Sequence, residues 1–152
     1  MADTSKSSSL EQQSAEEEIF KIVEEWLGCG VSRNPKVKIN RNTLVHIEPD
    51  FYSEEHCIIG EIFAHIGGNK KGQDTKVAKD ILKMLLIEND RGKRFRKIIV
   101  VCDEQEKRAL NGKSALVECI RQFGIELKRI EIPDELRNII VSAQDRQIMI
   151  NG

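Results

Sequence analysis

Two carboxylates in the stretch Pro49 to Phe63 are spaced to do chemistry together. Asp50 ends one apolar run, Thr43 to Asp50, and Glu61 lies inside the next, His56 to His65. Ser53, Glu54 and Glu55 lie between them, a connection of hairpin length. Paired as antiparallel strands, the two runs set the acids side by side near one end of a sheet. Alternation along the second run puts Cys57, Ile59, Glu61, Phe63 and His65 on one face and Ile58, Gly60, Ile62 and Ala64 on the other. A carboxylate among apolar neighbours is costly to bury and wants a cation, a hydrogen-bond donor or a proton. Two of them converging from adjacent strands make a hard oxygen site that suits Mg²⁺ (or Mn²⁺), completed by waters and a substrate phosphate. The plainer alternative is a turn cap at Asp50 and a lysine partner for Glu61.

The elements that must hold this pair follow from periodicity. Residues 1–14 are polar and serine-rich, the composition of a disordered tail, and residues 15–152 fit one domain with a core of its own. Ser14 and Glu17 have capping-box spacing before a helix from Ala15 to Leu27, which carries Ile19, Ile22, Val23 and Trp26 and stops at Gly28 and Gly30. Strands are predicted at Lys36 to Asn40, Leu44 to Asp50 and His56 to Ala64. A glycine- and lysine-rich loop leads into a helix from Asp74 to Glu88 with an apolar stripe of Val77, Ile81, Met84 and Leu85, widened by Ala78 and Leu82. Gln73, Lys76, Asp80 and Lys83 line up on another face of that helix. The run KIIVVCDE reads as a strand buried on both faces. A helix over Ser114 to Phe123, a strand over Ile125 to Ile132 and a helix from Pro133 to Gln147 complete the chain.

Charge is unevenly distributed although the net charge is only -1. Residues 1–27 hold seven acidic residues against two lysines, whereas residues 65–97 hold ten basic residues against four acidic. A basic segment directly after the acidic pair favours a polyanionic partner. The four cysteines are scattered without a CxxC pair, which argues against zinc and against a disulfide framework. No apolar stretch approaches a membrane span, and the amino terminus lacks a signal-peptide core, so the expectation is a cytoplasmic protein with no membrane partner. A homodimer would suit a duplex substrate, with Ile139, Ile140, Ile148 and Ile150 of the last helix as apolar surface to cover.

The order helix, three-stranded meander, helix, strand resembles the common core of the PD-(D/E)xK nuclease superfamily, the restriction-endonuclease-like fold. Pro49-Asp50 and Glu61 match its motif, with the Gln73/Lys76 stretch in the helix that follows. The resemblance covers about Glu16 to Asp103 and implies an α/β core of order αβββαβ, a mixed central sheet flanked by helices, with a C-terminal helix-strand-helix extension. It further implies metal-dependent phosphodiester hydrolysis of nucleic acid, DNA foremost. Asp50, Glu61 and the backbone carbonyl of Ile62 would then hold the metal. Phe63 stands where the superfamily places a lysine, so an active enzyme needs a substitute. Lys76 from the following helix fits best, ahead of Lys79 and Lys83, with Gln73 orienting a water or the metal shell and a glutamate contributed by the first helix, Glu18 chosen among Glu16, Glu17 and Glu18.

Two other readings stay open. A non-cleaving nucleic-acid-binding or assembly module on the same fold would use Lys70, Lys71, Arg91, Lys93, Arg94 and Arg96. A receiver-like or Rossmann-like domain would use Asp103 at the end of a central strand, although no glycine-rich turn supports it. His46 and His65, each sharing a predicted strand face with an acid of the pair, are candidate bases or donors.

Overall fold

The computed structural model describes residues 4–67 and 71–151, the side chains of 4–9, 11, 71–73 and 147–151 excepted. In chain order the elements are α1 (Thr4–Leu27), β1 (Ser32–Arg33), β2 (Val37–Ile39), β3 (Asn42–Ile47), β4 (Phe51–Ser53), β5 (Ile58–Phe63), α2 (Lys71–Arg91), β6 (Arg96–Val101), α3 (Glu104–Ala109), α4 (Ala115–Gln122), β7 (Ile125–Arg129) and α5 (Asp134–Asn151). The fold is α/β, with a mixed five-stranded sheet of order β1-β4-β5-β6-β7. β1, β4 and β5 run antiparallel to their neighbours, while β5, β6 and β7 are parallel. Among the described residues no helix is long and apolar enough to cross a membrane.

Each face of the sheet is covered because its strands are apolar on both sides. β6 is buried from Lys97 to Val101, as an interior parallel strand must be. Ile59, Phe63, Ile99 and Val101 meet Val77, Ile81, Met84 and Ile87 of α2 in one layer. Phe51, Ile58, Ile98 and Val100 meet Ile19 and Val23 of α1 and Ile140 of α5 in the other. Leu82, expected to widen the α2 stripe, is 65% exposed, because the stripe continues through Ile87 instead. Ile140 is buried and Ile139 half-buried on this chain's own sheet, where an uncovered face was expected. The side chains of Ile148 and Ile150 lie outside those described.

Several predicted boundaries move, each for a local reason. α1 begins at Thr4, so residues 4–14 continue the helix and Ser14 lies within it instead of capping it. The predicted second strand, Leu44 to Asp50, corresponds to β3 and ends early at Ile47, before buried Pro49, whose missing N–H cannot join a ladder, while β4 lies beyond it in the stretch expected to connect the two acid-bearing strands. β3 then pairs with β2 as a separate two-stranded sheet, so the antiparallel meander is built from β1, β4 and β5 with the β2/β3 hairpin inserted. The turn after β4 ends at Cys57, whose φ of 52° is left-handed. The C-terminal segment is no appendage: β7 completes the central sheet beside β6. α3 was not foreseen, and α4 starts where Ser114 accepts the N–H of Val117 at 3.2 Å.

The inserted hairpin is tied down at its turn. Asp90, near the end of α2, accepts the backbone N–H of Asn40 at 2.8 Å and of Arg41 at 3.1 Å. Asp90→Ala leaves those two donors without their partner. The expected result is at least a tenfold faster hydrogen exchange at Asn40 and Arg41, with the β5 and β6 amides unchanged, measured by exchange mass spectrometry.

Candidate active site

β4 is three residues long and pairs Phe51 with Gly60, which places Asp50, just before it, beside Glu61 and Ile62 of β5. The Asp50 carboxylate is held there by the backbone N–H of Ile62, donated to Oδ2 at 2.7 Å. Glu61 is 6% exposed and its Oε1 is buried with no hydrogen-bond partner. Burial and the neighbouring Asp50 and Asp80 carboxylates raise its pKa to about 9. Asp80 comes from α2, is 6% exposed, and pairs with Lys83 at 3.5 Å, not with Lys76. Burial raises its pKa as well. Three acids therefore act on one another electrostatically, and one buried oxygen has no hydrogen-bond partner.

That orphaned oxygen is what a divalent cation would satisfy. Among the described residues no three or more His, Cys, Asp or Glu are grouped for metal binding. A pair of carboxylates is a hard-oxygen donor set, the kind that Mg²⁺ or Mn²⁺ takes and zinc does not prefer.

A cleft of about 110 Å³ opens at Asp50, lined by Glu16, Arg33, Asn34, Asp50, Ile62, Ala64 and Lys76. Glu61 does not line it, whereas Asp50 on the neighbouring strand end does. Lys76 Nζ lies 5.3 Å from the centre of the Phe63 ring. The lysine from α2 thus stands over the residue that occupies the motif-lysine position. From α1 the cleft takes Glu16, whereas Glu18 is exposed and does not line it. Helix rotation decides between adjacent glutamates, and only the packing of Ile19 and Val23 sets that rotation. Gln73 belongs to α2, but its side chain and that of Lys71 lie outside those described, as does the whole of Lys70. Arg33 and Asn34 were not foreseen, since a two-residue strand has no periodicity to read.

The remaining basic candidates lie elsewhere. Arg91 is about fifteen residues, or ~22 Å, further along α2 than Lys76. It is spent on Glu54 at 3.0 Å and Asp90 at 2.5 Å, with only 10% of its side chain exposed. Arg96 forks onto Glu126 at 2.8 and 2.9 Å and covers Trp26. Lys93 lies over Phe95. Arg91, Lys93, Arg94 and Arg96 surround the start of β6, whereas Asp50 sits toward the carboxyl end of β5. A wider groove of about 670 Å³ lies there, between β2 and the turn after β4. Its Tyr52, Glu54 and Arg91 side chains already satisfy one another.

His46 is exposed on the inserted hairpin, 3.8 Å from Glu48, and far in topology from Asp50. His65 donates to or accepts from buried Glu106 through Nδ1 at 2.6 Å. Asp103 is occupied by Arg137 at 2.7 Å and by the Gly67 N–H at 3.0 Å, so it holds the β5–α2 loop instead of a ligand. Its pKa is lowered by those two partners against the cost of burial.

Compared with known proteins, the chain matches no family model, no curated protein and no solved structure.

Proposed function

We propose that this protein is a divalent-metal-dependent phosphodiesterase of the PD-(D/E)xK, restriction-endonuclease-like kind, acting on nucleic acid and foremost on DNA. The observation that carries the reading is the buried, unpartnered Oε1 of Glu61 beside Asp50, with Lys76 lining the cleft that opens at Asp50. The sheet order supports it: antiparallel β1, β4 and β5 follow α1, and β6 returns parallel to β5 after α2.

Asp50 and Glu61 would hold Mg²⁺ or Mn²⁺ with the carbonyl of Ile62, and the cation when bound supplies Lewis acidity toward the phosphate. The Ile62 N–H fixes the Asp50 carboxylate in place, so the donor atoms are preorganised. Lys76 does what Phe63 cannot: its ammonium hydrogen-bonds the attacking water and offsets negative charge growing on the phosphate. Glu16 at the rim accepts a proton or a hydrogen bond from the same water layer.

A second reading is a non-cleaving nucleic-acid-binding or assembly module on this fold, favoured by Phe63 itself. Lys76→Ala separates the two when Mg²⁺ binding is followed by calorimetry and cleavage by plasmid and single-stranded DNA assays. The nuclease reading expects wild-type cleavage that falls about 100-fold in the variant while Mg²⁺ affinity changes less than about twofold. Metal binding without wild-type cleavage leaves the second reading, and no metal binding removes the first.

A further inference from the structure

We infer that Arg33 is the second cation of the cleft and seats the scissile phosphate opposite Lys76, so that the substrate is gripped by its phosphodiester backbone with no seat for a base. This rests on the phosphodiesterase reading and names its substrate contacts.

β1 exists as two residues, and its register with β4, Ser32 to Tyr52 and Arg33 to Phe51, sets Arg33 across from the residue after Asp50. The next residue, Asn34, adopts a left-handed φ of 48° and donates its N–H to the Asp50 carbonyl at 3.0 Å. That turn takes the chain out of the sheet immediately after Arg33 and leaves both residues on the wall of the cleft. The Arg33 side chain is 30% exposed, and its ion-pair partner is Glu17, at 3.4 Å and 61% exposed. A single long contact to a solvated carboxylate leaves the planar fork available, and that fork matches two phosphate oxygens at once. Lys76 lines the same cleft from α2, so the cleft holds two cations, one from β1 and one from α2.

The lining decides what else enters. None of the lining residues is aromatic, and bases of single strands are held chiefly by stacking on aromatic rings. Recognition through phosphate alone carries no sequence information.

The test compares wild type, Arg33→Ala and Arg33→Lys. Binding of a labelled random-sequence oligonucleotide is measured across a salt series with Ca²⁺ in place of Mg²⁺. Cleavage of the same library, Mg²⁺ calorimetry and melting temperature are followed alongside. Arg33→Ala is expected to weaken oligonucleotide binding about tenfold and to lower the salt slope by about one, with Mg²⁺ affinity and melting temperature unchanged. Arg33→Lys should restore the slope but not the cleavage rate, because a point charge replaces the fork. Wild-type cut sites should show no base preference.

If wild type cleaves and Arg33→Ala matches it in salt slope and rate, the inference is wrong and the phosphodiesterase reading stands. Loss of Mg²⁺ binding or of melting temperature in Arg33→Ala also overturns it, by making Arg33 a structural counter-ion of the acids. If wild type does not cleave yet Arg33→Ala loses oligonucleotide binding, the phosphate seat stands and the nuclease reading fails. A wild type that binds no oligonucleotide defeats both.

Discussion

Glu61→Gln is expected to abolish divalent-cation binding and cleavage while making the metal-free protein more stable at neutral and alkaline pH. Loss of one of two acidic ligands removes the cation and should cost more than about 10³-fold in rate. The stability gain comes from the proton. Glu61 has its pKa raised to about 9 in the folded protein by burial and by Asp50. A folded pKa above the unfolded value means that the folded state holds the proton more tightly. Its contribution is therefore complete below about pH 4.5 and is lost steadily as pH rises toward 9. Glutamine never ionises, so its advantage over wild type widens across that window. The gap should reach an order of 2–3 kcal/mol at pH 8. Urea unfolding at pH 5, 7 and 8.5 without metal reads it directly. Added Mg²⁺ should raise wild-type stability by mass action and leave the variant unmoved. A gap constant with pH would rule out the raised pKa of Glu61, and undiminished Mg²⁺ binding in the variant would rule out the carboxylate pair as a cation site.

Gly60→Ala carries the largest expected loss of stability. A Cβ at position 60 would lie 2.0 Å from Phe51 Cζ and within 2.6 Å of two further ring atoms. Phe51 is wholly buried between β5 and α1, so its ring has nowhere to go without displacing Ile19 or Val23. Overpacking of this kind typically costs 1–3 kcal/mol, and a clash with three atoms of a fully enclosed ring should cost about 3 kcal/mol or more. Because Phe51 directly follows Asp50, the displaced strand also moves the Asp50 carboxylate, and Mg²⁺ affinity should fall with stability. Phe51→Leu in the same chain frees the space. The double variant should be more stable than the sum of the two single losses by at least 1 kcal/mol, measured as a double-mutant cycle by chemical denaturation. Additive losses would mean that the two residues do not touch.

The alternation of residues 57–64 was legible because it is a local property: every second residue faces the same layer whatever the partner strand is. It correctly separates Glu61 and Phe63, which face α2, from Ile58 and Ile62, which face α1. The stripe of α2, apart from Leu82, and the doubly buried β6 were legible for the same reason. Pro49 was misread: as part of a motif it looked like a strand end, whereas its missing N–H makes it the break between two sheets.

Other features depend on contacts between distant residues, which no window of sequence contains. β7 reads alone as an extension and becomes central only when Ile125 to Arg129 pair with Lys97 to Val101. β1 has too few residues for any pattern, yet its pairing delivers Arg33 and Asn34 to Asp50. The basic run of residues 91–96 follows the acidic pair in sequence, and α2, about 30 Å long, carries it to the opposite end of the sheet. The sequence by itself therefore determined the longer elements, the inward faces of β5 and β6, most of the α2 stripe and the two carboxylates. The tertiary structure alone decided which glutamate and which arginine line the cleft at Asp50, since strand partners are set by long-range packing and not by local pattern.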